Sequence, residues 1–88
     1  MDIEFTKKFR DDIKHIKDQA LLERISSEIS GIQAATNLTE IPNIKKLRGF
    51  RNFYRIRLGE YRIGLCFNDG IMIFSRFLHR KDIYKYFP

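Results

Sequence analysis

Residues 53 to 67 alternate so regularly that they leave room for little but a β-hairpin. From Phe53 to Leu58, the side chains of Phe53, Arg55 and Arg57 project to one side of an extended strand, and those of Tyr54, Ile56 and Leu58 to the other. From Glu60 to Phe67, Tyr61, Ile63, Leu65 and Phe67 share one side, opposite Arg62, Gly64 and Cys66. With Gly59-Glu60 as a two-residue turn, Leu58 pairs with Tyr61, and Arg57 falls directly across from Arg62. One face of the hairpin is then apolar, ready for a core, and the other carries three arginines. Like charges placed directly opposite destabilise a sheet. A chain that keeps such a pair has an anion to put between them.

A second turn signal extends the sheet. Asn68-Asp69-Gly70 leads into a third strand, Ile71 to Leu78, whose run Ile71-Met72-Ile73-Phe74 is apolar at successive positions and needs cover on both faces. Upstream, the period becomes helical. Thr6 caps a helix carrying Phe9, Ile13 and Ile16, and Asp18 caps a second with Leu21, Leu22, Ile25, Ile29 and Ile32 along one stripe that contains Gly31. Asp2 to Phe5 reads as a short edge strand, Thr36 to Asn43 as a loop, and Arg80 to Phe87 as a last short helix or turn. The expected fold is α+β in the order β-α-α-β-β-β-α. An antiparallel sheet carries a two-helix hairpin on its apolar face and the arginines on the other, with a short C-terminal helix. A chain of 88 residues with no repeat or linker makes a single domain, residues 1–88.

Charge divides this domain unevenly. Residues 1–42 carry six basic against eight acidic side chains, whereas residues 43–88 carry eleven against three and ten of the twelve aromatic rings. Seven of the basic residues, Lys45, Lys46, Arg48, Arg51, Arg55, Arg57 and Arg62, stand between Asn43 and Arg62 with Glu60 as their only acidic neighbour. A basic, aromatic-rich half beside a near-neutral helical half is the footprint of a nucleic-acid or phosphate binder. No membrane partner is expected, because no apolar run can span a bilayer and the N-terminus lacks a signal-peptide layout. The single cysteine, Cys66, reads as a buried thiol, and the cytoplasm is the natural compartment.

The missing motifs narrow the chemistry. There is no Gly-rich phosphate loop, no Cys/His ligand set and no acidic cluster suited to magnesium, so neither metal nor cofactor is expected. Glu60 and Asp82 have no carboxylate partner, Ser26, Ser27 and Ser30 have no histidine at useful spacing, and His15 sits among polar helix positions. What remains is the arginine face and a C-terminal cluster of Arg76, His79, Arg80, Lys81, Tyr84 and Tyr86. The third strand runs antiparallel to the second, so its end returns towards Arg62, and His79, Arg80 and Tyr84 are expected to meet the hairpin arginines. Guanidinium groups bind phosphate bidentately and stabilise charge developing at phosphorus. Histidine and tyrosine can move protons, and an RNA substrate supplies its own 2′-hydroxyl nucleophile.

Three stretches in order, Lys46-Leu47-Arg48-Gly49, Tyr54-Arg55-Ile56-Arg57-Leu58 with Tyr61-Arg62-Ile63-Gly64, and Arg76-Phe77-Leu78-His79-Arg80-Lys81-Asp82-Ile83-Tyr84, resemble the RelE/ParE superfamily of bacterial toxin–antitoxin toxins. With the helical hairpin, the resemblance spans essentially the whole domain. It implies, for the RelE branch, a toxin that enters the ribosomal A site and cuts messenger RNA there by 2′-hydroxyl attack, leaving a cyclic phosphate. Arg55 and Arg57 then match two basic strand residues acting on the scissile phosphate and the nucleophile. Arg62 matches the arginine holding the transition-state phosphate, and Arg80 the one in the C-terminal motif. Tyr84 matches the terminal tyrosine that stacks on a base or assists proton transfer. Lys45, Lys46, Arg48 and Arg51, with Arg76 and Lys81, would grip RNA phosphates. Well-known RelE members have lysines at the two strand positions, and arginine does not lose its proton in proteins. Arg55 and Arg57 can therefore act only electrostatically, which leaves proton transfer to His79, Tyr84 or the RNA.

Two other readings fit the same residues. The ParE branch uses this scaffold to poison DNA gyrase by protein contact, and a non-catalytic nucleic-acid-binding module would also present a basic sheet face. Both toxin readings imply a cognate antitoxin, acidic and partly disordered until bound, that wraps the helices or covers the basic face.

Overall fold

Two tight turns fix the sheet's register. The computed structural model describes residues 1–88, with strands β1 (Asp2–Phe5), β2 (Ile44–Lys46), β3 (Phe53–Leu58), β4 (Tyr61–Asn68) and β5 (Ile71–His79). Its helices are α1 (Lys7–Lys14), α2 (Gln19–Ala34) and α3 (Ile83–Tyr86). Between β3 and β4, Gly59 alone of the two central residues has positive φ (61°), the pattern of a type II′ turn. Between β4 and β5, Asp69 (φ 50°) and Gly70 (φ 76°) both do, the pattern of type I′. Both turns match the natural twist of a hairpin. The pairs Leu58–Tyr61 and Arg57–Arg62 therefore form as the sequence predicts.

The strands lie in the order β1-β5-β4-β3-β2. Two features depart from expectation. The edge strand β1 joins β5 in parallel, so the sheet is not wholly antiparallel. A fifth strand, β2, pairs antiparallel with β3 through Ile44–Ile56, Lys45–Arg55 and Lys46–Tyr54. Three residues, two of them lysine, carry no readable alternation.

The helices start where their caps predict. The Thr6 side chain accepts from the Phe9 N–H, and that of Asp18 from the Leu21 N–H. Helix α2 continues through Gly31 to Ala34. Phe9, Ile25 and Ile32 pack with Ile56, Leu58, Ile63, Leu65, Met72, Phe74 and Phe77 in one buried cluster. Each such side chain stabilises the fold by roughly 1.5–3 kcal/mol relative to exposure. Ser75 is left unpaired where the β4–β5 register shifts, so that Phe74 and Phe77 both reach the core. At this bulge β1 gives way to α1, and helix-side groups take over the strand edge. Thr6 donates its N–H to the Phe74 carbonyl (3.0 Å) and its hydroxyl to the Ser75 carbonyl (2.9 Å). Asp12 accepts from the Phe77 N–H (2.9 Å) and from Arg76 Nε (2.8 Å) and Nη2 (3.1 Å).

The second face of the sheet is partly covered by the chain's end. Ile83 and Phe87 are buried, and the Phe87 ring lies edge-on to Phe53 with centroids 5.6 Å apart. Phe87 rests directly on Gly64, the cross-strand neighbour of Arg55 and Arg76. Cys66, expected to be buried, is only partly so. Its register partners Phe53 and Ile73 lie on this thinly covered face, away from the helices. Burial still raises the thiol's pKa.

Candidate nucleic-acid interface

Strand alternation sets Arg55, Arg57 and Arg62 on the face away from the helices. Arg57 is exposed, whereas Arg55 and Arg62 are partly buried. Arg62 folds back on its own turn, with Nη1 donating to the carbonyls of Gly59 and Tyr61, both at 2.8 Å. Both Nη1 hydrogens are thereby used, and the Nε–Nη2 edge remains for a bidentate acceptor. Burial first, and then the charges of Arg55, Arg57 and Arg80, lower the Arg62 pKa, while Tyr84 acts in the opposite direction. These four side chains are thus Arg62's electrostatic neighbours. An arginine so placed still keeps its proton; the crowding instead concentrates positive charge at this point of the sheet.

Glu60 holds one of these cations in place. Arg80 Nε lies 2.6 Å from the Glu60 carboxylate, and the Arg80 N–H donates to the Glu60 carbonyl at 2.8 Å. Both side chains are exposed, so the ion pair contributes about 0.2–1 kcal/mol and chiefly orients Arg80.

Beside this centre, Lys45, Lys46, Arg48, Arg55 and Tyr84 line one open groove of about 540 Å³ together with Leu47, Gly49 and Phe50. Arg51 and Lys81 are exposed. Phe50 escaped the sequence reading, since a lone aromatic in a loop of Gly, Arg and Asn carries no periodic signal.

Two expected members lie elsewhere. His79 pairs with Tyr61, whose ring stacks on the buried Phe77 (centroids 5.0 Å, 7° between planes). His79 meets Tyr61 edge-on at 5.6 Å, and its Nδ1 accepts the Lys81 N–H at 3.1 Å. It therefore sits on the helix side of the sheet, opposite the arginines. The end of β5 does return to Arg62, but alternation turns His79 the wrong way. Arg76 is on the arginine face, yet it is committed to the Asp12 carboxylate, with the Tyr86 ring 6.0 Å from its guanidinium carbon. The Asp12 hydrogen bond raises the Arg76 pKa further. A readable signal existed for this pairing, because Asp12 follows Phe9 by three residues and shares its side of α1.

A helical hairpin on one face of a five-stranded sheet, with clustered arginines on the other, defines the scaffold of the RelE/ParE toxins. The chain matches the model for the ParE toxin of type II toxin–antitoxin systems (parDE) over residues 3–84, and it belongs to that family within the superfamily. Among its relatives is Toxin RelE3 of Methanocaldococcus jannaschii, 44% identical over 89 residues spanning 100% of both chains. In the RelB-RelE antitoxin-toxin complex from Methanococcus jannaschii, the matching chain is 43% identical with a TM-score of 0.80, covering 97% of this chain and 99% of that one. YoeB from Staphylococcus aureus, solved as a dimer, shares the fold at 19% identity with a TM-score of 0.73 over 91% of this chain and 97% of its own.

Proposed function

We propose that this protein is the toxin of a toxin–antitoxin pair and acts as a metal-independent endoribonuclease, cutting translated messenger RNA on the ribosome. The observation that carries the reading is the pairing of Arg57 across from Arg62, with Arg55 on the same face and sharing a groove with Tyr84, and with Arg80 tied to Glu60 at the same turn. With a 2′-hydroxyl as nucleophile, the O2′–P bond forms as the P–O5′ bond breaks, giving a cyclic phosphate; the 2′-hydroxyl gives up one proton and the departing 5′-oxygen takes one. Arg62, through its free Nε–Nη2 edge, suits the charge that builds on the non-bridging oxygens, and Arg55, Arg57 and Arg80 add to the field. The arginines move no proton. Tyr84 is the one member of the group with a hydroxyl, so proton transfer rests on it or on the RNA, and His79 has no part in it. The 44% identity to a protein named a RelE toxin supports this reading, and so does the antitoxin bound to the RelE homologue for the partner.

Primer extension on a translated messenger, with and without ribosomes, tests the activity. Cuts within codons are expected only when ribosomes are present. Arg62→Ala is expected to slow them by roughly 10²–10³-fold, the usual cost of losing one donor to a developing oxyanion. Tyr84→Phe should also slow cleavage. Undiminished cutting by Arg62→Ala would remove the arginine centre from the mechanism. The family match to ParE favours a second reading, gyrase inhibition by protein contact. Inhibited supercoiling with intact messenger would select it.

A further inference from the structure

Three large hydrophobic side chains stand exposed: Phe50 (45%), Tyr84 (62%) and Tyr86 (60%). Two of these, Phe50 and Tyr84, are far apart in sequence yet line the same groove, and they line its continuation towards Phe87 and Pro88 as well. Phe50 is held in its position. Its N–H donates to the Leu47 carbonyl at 3.4 Å, and Gly49 takes φ 84°, which lets the turn close. Its ring meets Phe53 edge-on with centroids 5.7 Å apart, and Phe53 in turn meets Phe87. One edge of the Phe50 ring is therefore anchored on Phe53, and through it on the buried Phe87, while the rest faces the groove.

The rim selects the occupant. Lys45, Lys46, Arg48 and Arg55 line the groove, and no acidic side chain does. Its volume of about 540 Å³ is that of an ordinary small-ligand site. A surface of exposed rings among cations fits a chain that alternates flat apolar groups with negative charges, which describes single-stranded nucleic acid.

We propose that Phe50 is a base-stacking residue, and that with Tyr84 it forms a platform for unpaired bases of the RNA whose phosphates lie on Lys45, Lys46 and Arg48. The proposal deepens the ribonuclease reading and rests on it for the identity of the strand. It gives the Leu47–Asn52 loop a role in holding bases, which neither the arginine centre nor the ion pairs can supply.

The test separates bases from phosphates. Binding of a short 2′-deoxy oligonucleotide, which cannot be cut by 2′-hydroxyl attack, is followed by fluorescence anisotropy. A second oligonucleotide has the same backbone and charge but abasic sites. The intact protein is expected to prefer the base-bearing strand by roughly 5- to 150-fold, the range for one base stacked on an aromatic ring. Phe50→Ala should abolish most of that preference while leaving the salt dependence of binding, which counts phosphate contacts, unchanged. Phe50→Tyr should restore it. Circular dichroism of Phe50→Ala verifies that the fold survives the loss of the contact with Phe53. An undiminished preference in Phe50→Ala overturns the proposal, as does the absence of any preference in the intact protein. Phe50-dependent capture of an acidic peptide without any for the oligonucleotide overturns it too, by assigning the groove to a protein partner. If base preference depends on Phe50 but no messenger is cut, the stacking platform stands and the nuclease reading falls.

Discussion

Gly64 lies within a strand, at ordinary φ, where glycine normally weakens the sheet, so Gly64→Ala would ordinarily stabilise by roughly 0.5–1 kcal/mol. Here the opposite is expected. A β-carbon at position 64 would lie 2.8 Å from Cγ and Cδ2 of Phe87 and 2.9 Å from its Cε2. Carbon atoms settle at about 3.5–4.0 Å, so the ring must retreat by about an ångström. Phe87 is only 5% exposed and is enclosed by Phe53. If the ring stays in place, overpacking costs about 1–3 kcal/mol. If it leaves, the lost burial costs about 1.5–3 kcal/mol. Set against the usual gain, either route predicts a net loss of about 1–1.5 kcal/mol, or a fall in Tm of roughly 4–12 °C for a domain of this size. Thermal and urea unfolding followed by circular dichroism measure it, with an unchanged urea slope as the control. The decisive comparison is Phe87→Ala, alone and combined with Gly64→Ala. Once the ring is gone, Gly64→Ala should be neutral or stabilising. An equal cost in both backgrounds, or a gain in the intact protein, refutes the account of glycine as space for Phe87.

Asp12→Ala would leave Arg76, 19% exposed at its side chain, without its carboxylate and the Phe77 N–H without an acceptor. A loss of about 2–4 kcal/mol is expected by urea unfolding, and pairing Asp12→Leu with Arg76→Met should recover much of it. A loss below about 0.5 kcal/mol would show that the pair does not hold α1 to β5. Glu28 is partly buried on α2, and burial raises its pKa above the ordinary 4.5, with Arg24 partly offsetting. A raised folded pKa favours the protonated form, so its contribution is full below the ordinary value and is lost as pH rises through the folded one. Glu28→Gln should therefore be more stable than the parent at neutral pH, by under about 1 kcal/mol given the solvent screening, and the difference should vanish near pH 4. Thermal scans across that window check the sign, and a larger advantage at the acidic end would contradict it.

The parts of this fold that follow local rules were readable in the chain. The hairpin register came from a period of two and a glycine turn, and the helix starts came from Thr6 and Asp18, because each is decided within a few residues. Strand β2 was not readable, since its pairing is supplied by β3 rather than by its own alternation. The parallel entry of β1 depends on a partner at the far end of the chain. At the site, Arg57 and Arg62 were readable for the same reason as the hairpin. His79 was misplaced because proximity along a strand was taken without its side. The Ser75 bulge shifts the count along β5, and nothing in Phe74-Ser75-Arg76 marks it. Arg76 was misassigned because its partner belongs to another element and shows only as a single acid beside Phe9.

The pairing of β1 with β5 joins the first strand of this domain to its last. During synthesis, both helices and the basic stretch from Lys45 to Arg62 are made before any residue of β5 exists. The helices then lack Met72, Phe74 and Phe77, and the sheet lacks its inner strand, so the core cannot close around them. Closure over such a span is entropically costly and slow. A chain interrupted between Arg62 and Phe74 would therefore carry every arginine of the hairpin yet have no scaffold to aim them. The harmful activity proposed for this protein is thus confined by topology to molecules in which β5 has been made.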